Sequence, residues 1–156
     1  MKIEQMRIKA IPTEYKGIKF RSKLEATYAR LFDKQNLSWE YEPKSFDFGE
    51  IGYGTGRHLI YYTPDFLIEN KFYFEVKGSS ENFSSNSKER VFALYLWPKK
   101  LYIGESYWPE KEPRVIKYLH KPFQKHDGYS TYISDEGYRK LPFSKFLEII
   151  RGDNNE

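Results

Sequence analysis

Tyr62-Thr63-Pro64-Asp65-Phe66-Leu67-Ile68-Glu69-Asn70-Lys71-Phe72-Tyr73-Phe74-Glu75-Val76-Lys77-Gly78 reads as two short strands joined by a turn. Phe66, Ile68, Phe72, Phe74 and Val76 are apolar at alternate positions, the pattern of strands with one buried face. They share that face only if Phe66 lies opposite Phe74 and Ile68 opposite Phe72. Such pairing requires an odd connection, Glu69-Asn70-Lys71; an Asn70-Lys71 turn would set Phe66 against Glu75. A one-residue slip turns every side chain to the wrong face, so the register is strongly specified. The same register sets Asp65 opposite Glu75 on the second face, with Lys77 further along it. Like charges placed opposite each other destabilise a sheet, and a divalent cation relieves the repulsion. Magnesium suits such a pair, because it takes one or two carboxylates and completes its shell with water and phosphate oxygens. Lysine is a compact charge fitted to hold a phosphate or an attacking water.

Upstream, Ser22 to Gln35 reads as a helix. Ser22 is the N-cap and Glu25 its capping-box partner, while Asn36 is a plausible stop. Leu24, Tyr28, Leu31 and Phe32 make the apolar face. Glu25 falls about 100° from Leu24, inside the apolar arc. A carboxylate there needs a partner, either a cationic side chain or a metal, since an unpaired buried charge is very costly. Arg21 is positioned to pair with Glu25 or to contact a phosphate.

The rest of the chain is less explicit. Ile3 to Ile8 reads as a strand or arm, and Trp39 to Phe48 as one strand. Gly49 to Arg57 holds Gly49, Gly52, Gly54 and Gly56 and reads as a flexible loop or wide hairpin. It lacks the lysine and following helix of a phosphate-binding loop. His58 to Tyr62 is a strand, Ser87 to Leu96 a second helix and Lys100 to Gly104 a further strand. Glu105 to Asp127 is punctuated by prolines and shows no clear period. Tyr129 to Ser134 reads as a strand, Phe143 to Ile150 as a closing helix, and Arg151 to Glu156 as a frayed end. Helices alternating with strands predict an α/β (α+β) fold with a mixed central sheet flanked by helices. A single domain is expected over 1–156, its core about 18–104 and an elaboration over 105–150.

The 156 residues suffice for a hydrophobic core without staples. With no cysteine, disulfides, zinc thiolates and cysteine nucleophiles are excluded. His58, His120 and His126 match no common zinc spacing. No apolar run approaches the ~20 residues of a membrane span, and Met1 to Ala10 is no secretory signal, so a soluble cytoplasmic protein is expected. A net charge of +4 permits a polyanionic partner without demanding one. Arg57 in the glycine-rich stretch, and Lys88 and Arg90 at the start of the second helix, are candidates for backbone phosphates.

Taken singly, Pro-Asp or Glu-x-Lys means little; the joint pattern is specific. Phe20-Arg21-Ser22-Lys23-Leu24-Glu25, Glu40-Tyr41-Glu42, Tyr62-Thr63-Pro64-Asp65-Phe66-Leu67 and Glu75-Val76-Lys77-Gly78 together resemble the PD-(D/E)XK nuclease superfamily. Within it they look like the core of the phage endonuclease I family of Holliday-junction resolvases, and are similar to phage and transposition nucleases. The resemblance runs from Ile18 to Gly78. It implies a restriction-endonuclease-like core and an endodeoxyribonuclease using Mg²⁺, with Mn²⁺ as substitute. It further implies Glu25, Asp65 and Glu75 as catalytic metal ligands, Lys77 as the water-orienting lysine, and Arg21 as a weaker, substrate-binding candidate. Duplex or branched DNA is the implied partner, the source a phage or mobile element, and junction cutting implies a homodimer. Glu42 is a weaker candidate too, and reads at least equally well as a structural ion pair. The competing reading is a nucleic-acid-binding or regulatory protein that keeps such a fold without turnover. A glycosidase carboxylate pair leaves Lys77 and Glu25 unexplained.

Overall fold

The computed structural model describes residues 10–53, 56–78, 100–105, 113–124 and 131–152, with the backbone alone at 48–60 and 118–138 of these. The expected Ile3–Ile8 strand and Ser87–Leu96 helix lie outside them.

Thr13–Tyr15 (β1) and Ile18–Phe20 (β2) form a hairpin that the sequence reading did not foresee. Its turn residues Lys16 and Gly17 both have positive φ, 51° and 75°, the sense that matches strand twist. The first helix, α1, spans Lys23–Lys34, and the Ser22 side chain caps it by accepting the Glu25 N–H at 3.1 Å. The capping box is not reciprocal: the Glu25 carboxylate instead accepts the Arg21 N–H at 3.2 Å. At the other end Asn36 takes φ 55°, Leu37 N–H reaches Phe32 O and Asn36 N–H reaches Asp33 O, each at 3.0 Å. This is the left-handed cap in which Asn substitutes for Gly, and buried Leu37 anchors it.

The expected Trp39–Phe48 strand is broken. Trp39–Tyr41 (β3) ends where Glu42 takes φ 46°, ahead of Pro43, and Phe46–Tyr53 (β4) starts afresh. A residue before proline is disfavoured in the right-handed helical region, and Glu42 lies in the left-handed one. β4 pairs with Gly56–Tyr62 (β5), Tyr53 opposite Gly56, so of the loop and hairpin readings of the glycine-rich stretch the hairpin is the one observed.

Phe66–Ile68 (β6) and Phe72–Lys77 (β7) pair as the alternation required: Phe66 with Phe74, Leu67 with Tyr73, Ile68 with Phe72. Glu69 and Asn70 carry the connection at φ 52° and 54°. Leu101–Glu105 (β8) lies parallel to β7, which requires a crossover through the segment between them. Arg114–Gln124 (β9) occupies the stretch that showed no period, and Thr131–Pro142 (β10) is longer than the strand expected there. Phe143–Gly152 (α2) closes the chain as expected. The central sheet runs β10-β9-β8-β7-β6-β3, antiparallel except at β7–β8. The fold is thus mixed α+β, with a six-stranded mixed sheet and two helices among the described residues.

Both helices pack on one face of the sheet. Tyr28 and Phe32 of α1 and Phe146 of α2 meet Phe66, Phe74 and Tyr102 there. Gly104 lies beneath Tyr28 and Phe74: a Cβ would stand 2.6 Å from each ring. On the second face Tyr73, Leu101, Ile103 and Ile116 are buried with Tyr62, and the Phe46 ring meets Tyr73 edge-on. Among the described residues, no helix is long and apolar enough to cross a membrane.

Candidate active site

Asp65 directly precedes β6, so alternation turns it to the face opposite Phe66. Its N–H donates to Glu75 Oε2 at 3.2 Å, and its Oδ2 accepts the Val76 N–H at 2.8 Å. Each acid is therefore fixed by the backbone of the other's strand. Lys77 follows on the same face, its Nζ 3.7 Å from Glu75 Oε1. Asp65 and Glu75 are 2% and 8% exposed, while the Lys77 side chain reaches solvent. The hairpin register thus assembles two buried carboxylates and one lysine at a sheet end.

Glu25 arrives from the other layer, on the first turn of α1, and is also buried. Its Oε2 accepts the Tyr41 hydroxyl at 2.6 Å and the Arg21 N–H. Burial, reinforced by that bond, pushes the Tyr41 phenol up to about 12. Arg21 departs from the expected Glu25 pairing. Its guanidinium bridges Asp65 Oδ1 at 2.8 Å and Glu42 Oε1 at 2.9 Å. Glu42 is fixed in turn by its own N–H, which donates to Asp65 O at 2.8 Å. Glu42 thus forms an ion pair with Arg21.

Burial pushes the Asp65 carboxyl up to about 6. The Val76 N–H pulls it down, the Glu25 charge raises it further, and Arg21 and Lys77 oppose that rise. The carboxylate cluster expected from sequence does perturb this acid, but desolvation outweighs mutual repulsion.

No protein-family model matches this chain, and no curated protein or solved structure matches it significantly.

Among the described residues, no three His, Cys, Asp or Glu side chains are spaced as ligands of one ion. The arrangement is a carboxylate pair, Asp65 and Glu75, with Glu25 bonded to Tyr41 and the Arg21 backbone nearby. Hard oxygen donors on two carboxylates fit the chemistry of Mg²⁺ or Mn²⁺. Lys88 and Arg90 lie outside the described residues, and Arg57 sits opposite Gly52 with its backbone alone described.

Sequence reasoning gave Tyr41 no role. Its signal was available: Trp39 and Tyr41 alternate onto the core face, and a phenol placed there needs a polar partner. Glu105 was missed as well. It ends β8 in register with Lys77, is buried, and faces Lys140 Nζ at 3.0 Å, an ionic contact without hydrogen-bond alignment. Nothing in the local sequence indicates that pairing, which depends on the order of β7 through β10.

Proposed function

We propose that this protein is a divalent-metal-dependent endodeoxyribonuclease with a restriction-endonuclease-like core. The observation that carries the reading is the interlocked Asp65–Glu75 pair, buried at a sheet end with Lys77 beside it. Burying two acids side by side carries a desolvation cost, which for Asp65 outweighs its bond from the Val76 N–H and its ion pair with Arg21. Such a cost is characteristic of functional sites.

Asp65 and Glu75 would hold the metal, with Glu25 supplying a third carboxylate close by. When bound, Mg²⁺ or Mn²⁺ supplies phosphoryl polarisation and an acidified water. Lys77 orients the attacking water and offsets the negative charge that develops on the phosphate. Tyr41 and the Arg21 backbone orient Glu25, and the fixed dipoles of the strands hold the acids without reorganisation. Arg21, largely exposed, contacts a DNA phosphate, and the basic balance of the chain favours a polyanion. The resemblance to junction resolvases over Ile18 to Gly78 adds branched DNA to duplex as a candidate substrate, and junction cutting would call for a homodimer.

The test is cleavage of labelled linear duplex, single-stranded and four-way-junction DNA with Mg²⁺, Mn²⁺ or EDTA, beside Glu75→Ala. Metal-dependent cutting that disappears in the variant supports the nuclease, and junction preference supports the resolvase branch. DNA binding without cutting in either metal transfers the assignment to a non-catalytic DNA-binding protein.

A further inference from the structure

Arg21 occupies the position that the proposed function requires Asp65 to offer. Asp65 Oδ2 accepts the Val76 N–H and Oδ1 carries the guanidinium, so both oxygens are engaged. A divalent cation and a guanidinium in contact with one carboxylate oxygen repel each other strongly. Arg21 also has somewhere to go. Its Nε already reaches Glu42, and its side chain is 61% exposed. Glu42 stays in place when Asp65 changes partners, because its N–H is held by the Asp65 carbonyl rather than by the carboxylate.

We propose that Arg21 is a resident counter-ion of Asp65, exchanged for the divalent cation when the site loads. The guanidinium leaves Oδ1, keeps Glu42 as its anchor and turns toward a phosphate of the bound DNA. This rests on the metal-dependent nuclease reading and adds a coupling to it. A phosphate that engages Arg21 removes the competitor from Asp65, so DNA and metal each favour binding of the other. Arg21 is thus a positioning residue whose removal strengthens metal binding and weakens DNA binding. An ion pair that merely braces the β3–β6 corner predicts the opposite sign for the metal, because the site would loosen without it.

The experiment is calorimetric titration of the full chain with Mn²⁺ and with Mg²⁺, without DNA, for wild type, Arg21→Ala, Arg21→Lys and Asp65→Asn. Thermal melts report that each variant is folded. In parallel, the guanidinium Nη–H signals of Arg21, which face Asp65, are followed by NMR as Mg²⁺ is added to wild type. Exchange predicts roughly tenfold tighter metal binding in Arg21→Ala, the value of one charge-assisted hydrogen bond that no longer has to break. Arg21→Lys falls between the two, since an ammonium cannot span Glu42 and Asp65 together. Asp65→Asn loses binding, and the wild-type signal moves with metal. Equal or weaker binding by folded Arg21→Ala or Arg21→Lys, or an unmoved signal in a wild type that binds, overturns the exchange and leaves the nuclease reading intact. If neither wild type nor the Arg21 variants bind either ion, the metal-site reading falls and the exchange with it.

Discussion

Asp65 has to be buried and ionised at once for the proposed chemistry, and burial opposes ionisation. Its carboxyl titrates at about 6 in the fold against 3.8 for an ordinary aspartate. The folded value is the higher one, so the neutral acid is the form the fold favours. Asp65 therefore supports stability most fully below about pH 3.8, and that support is lost as pH rises through about 6. A shift of this size is worth roughly 3 kcal/mol. Asp65→Asn should gain on wild type by up to that amount between pH 4 and pH 7, measured by chemical denaturation in EDTA. A constant difference across that window would remove burial as the governing cause. Asp65 and Glu75 were legible as a facing pair because strand alternation fixes which side chains share a face. For Tyr41 the need of a polar partner was legible but the partner was not, because Glu25 comes from a helix on the other side of a turn and the intervening chain encodes no spacing between them.

At the scale of single elements, side-chain volume decides as much as period. β8 reaches its place beneath α1 because Gly104 presents no side chain there. Alanine at this position would put a methyl 2.6 Å from the Phe74 and Tyr28 rings, both fully buried. The Tyr28 hydroxyl is tied to the Glu105 carbonyl at 2.5 Å, so that ring cannot retreat without losing the bond. Gly104→Ala should cost about 1–3 kcal/mol or more, the range for overpacking a core. It should lower the thermal midpoint by several degrees while leaving the far-UV spectrum native; an unchanged midpoint would mean the two rings can move. The β6–β7 hairpin was readable residue by residue, since its register follows from alternation and its loop length from that register. The Trp39–Phe48 stretch was misread because its aromatic pattern continues through Glu42-Pro43, where the backbone does not.

For the whole molecule, α1 packs on the sheet so that Glu25 lies near the Asp65–Glu75 pair at one sheet end. Any ligand that binds the ionised carboxylates in the native state stabilises the fold by mass action. Saturating Mg²⁺ or Mn²⁺ should therefore raise the melting temperature at pH 8, with EDTA reversing the shift. The rise should shrink toward pH 5, where protons compete for Asp65, and vanish in Asp65→Asn together with Glu75→Ala. An equal rise in that double variant would locate the metal elsewhere.

Local sequence by itself determined the α1 cap and stop, the β6–β7 register, the facing of Asp65, Glu75 and Lys77, and the burial of Glu25. Each of these follows from a period or from a rule spanning a few residues. Tertiary structure alone decided the parallel placement of β8 against β7, the pairing of Glu105 with Lys140, and the bridge from Arg21 to Asp65 and Glu42. Those contacts join residues far apart in the chain, and their geometry depends on which strands become neighbours. Strand order is set by the packing of the whole core, so no short stretch of sequence contains it.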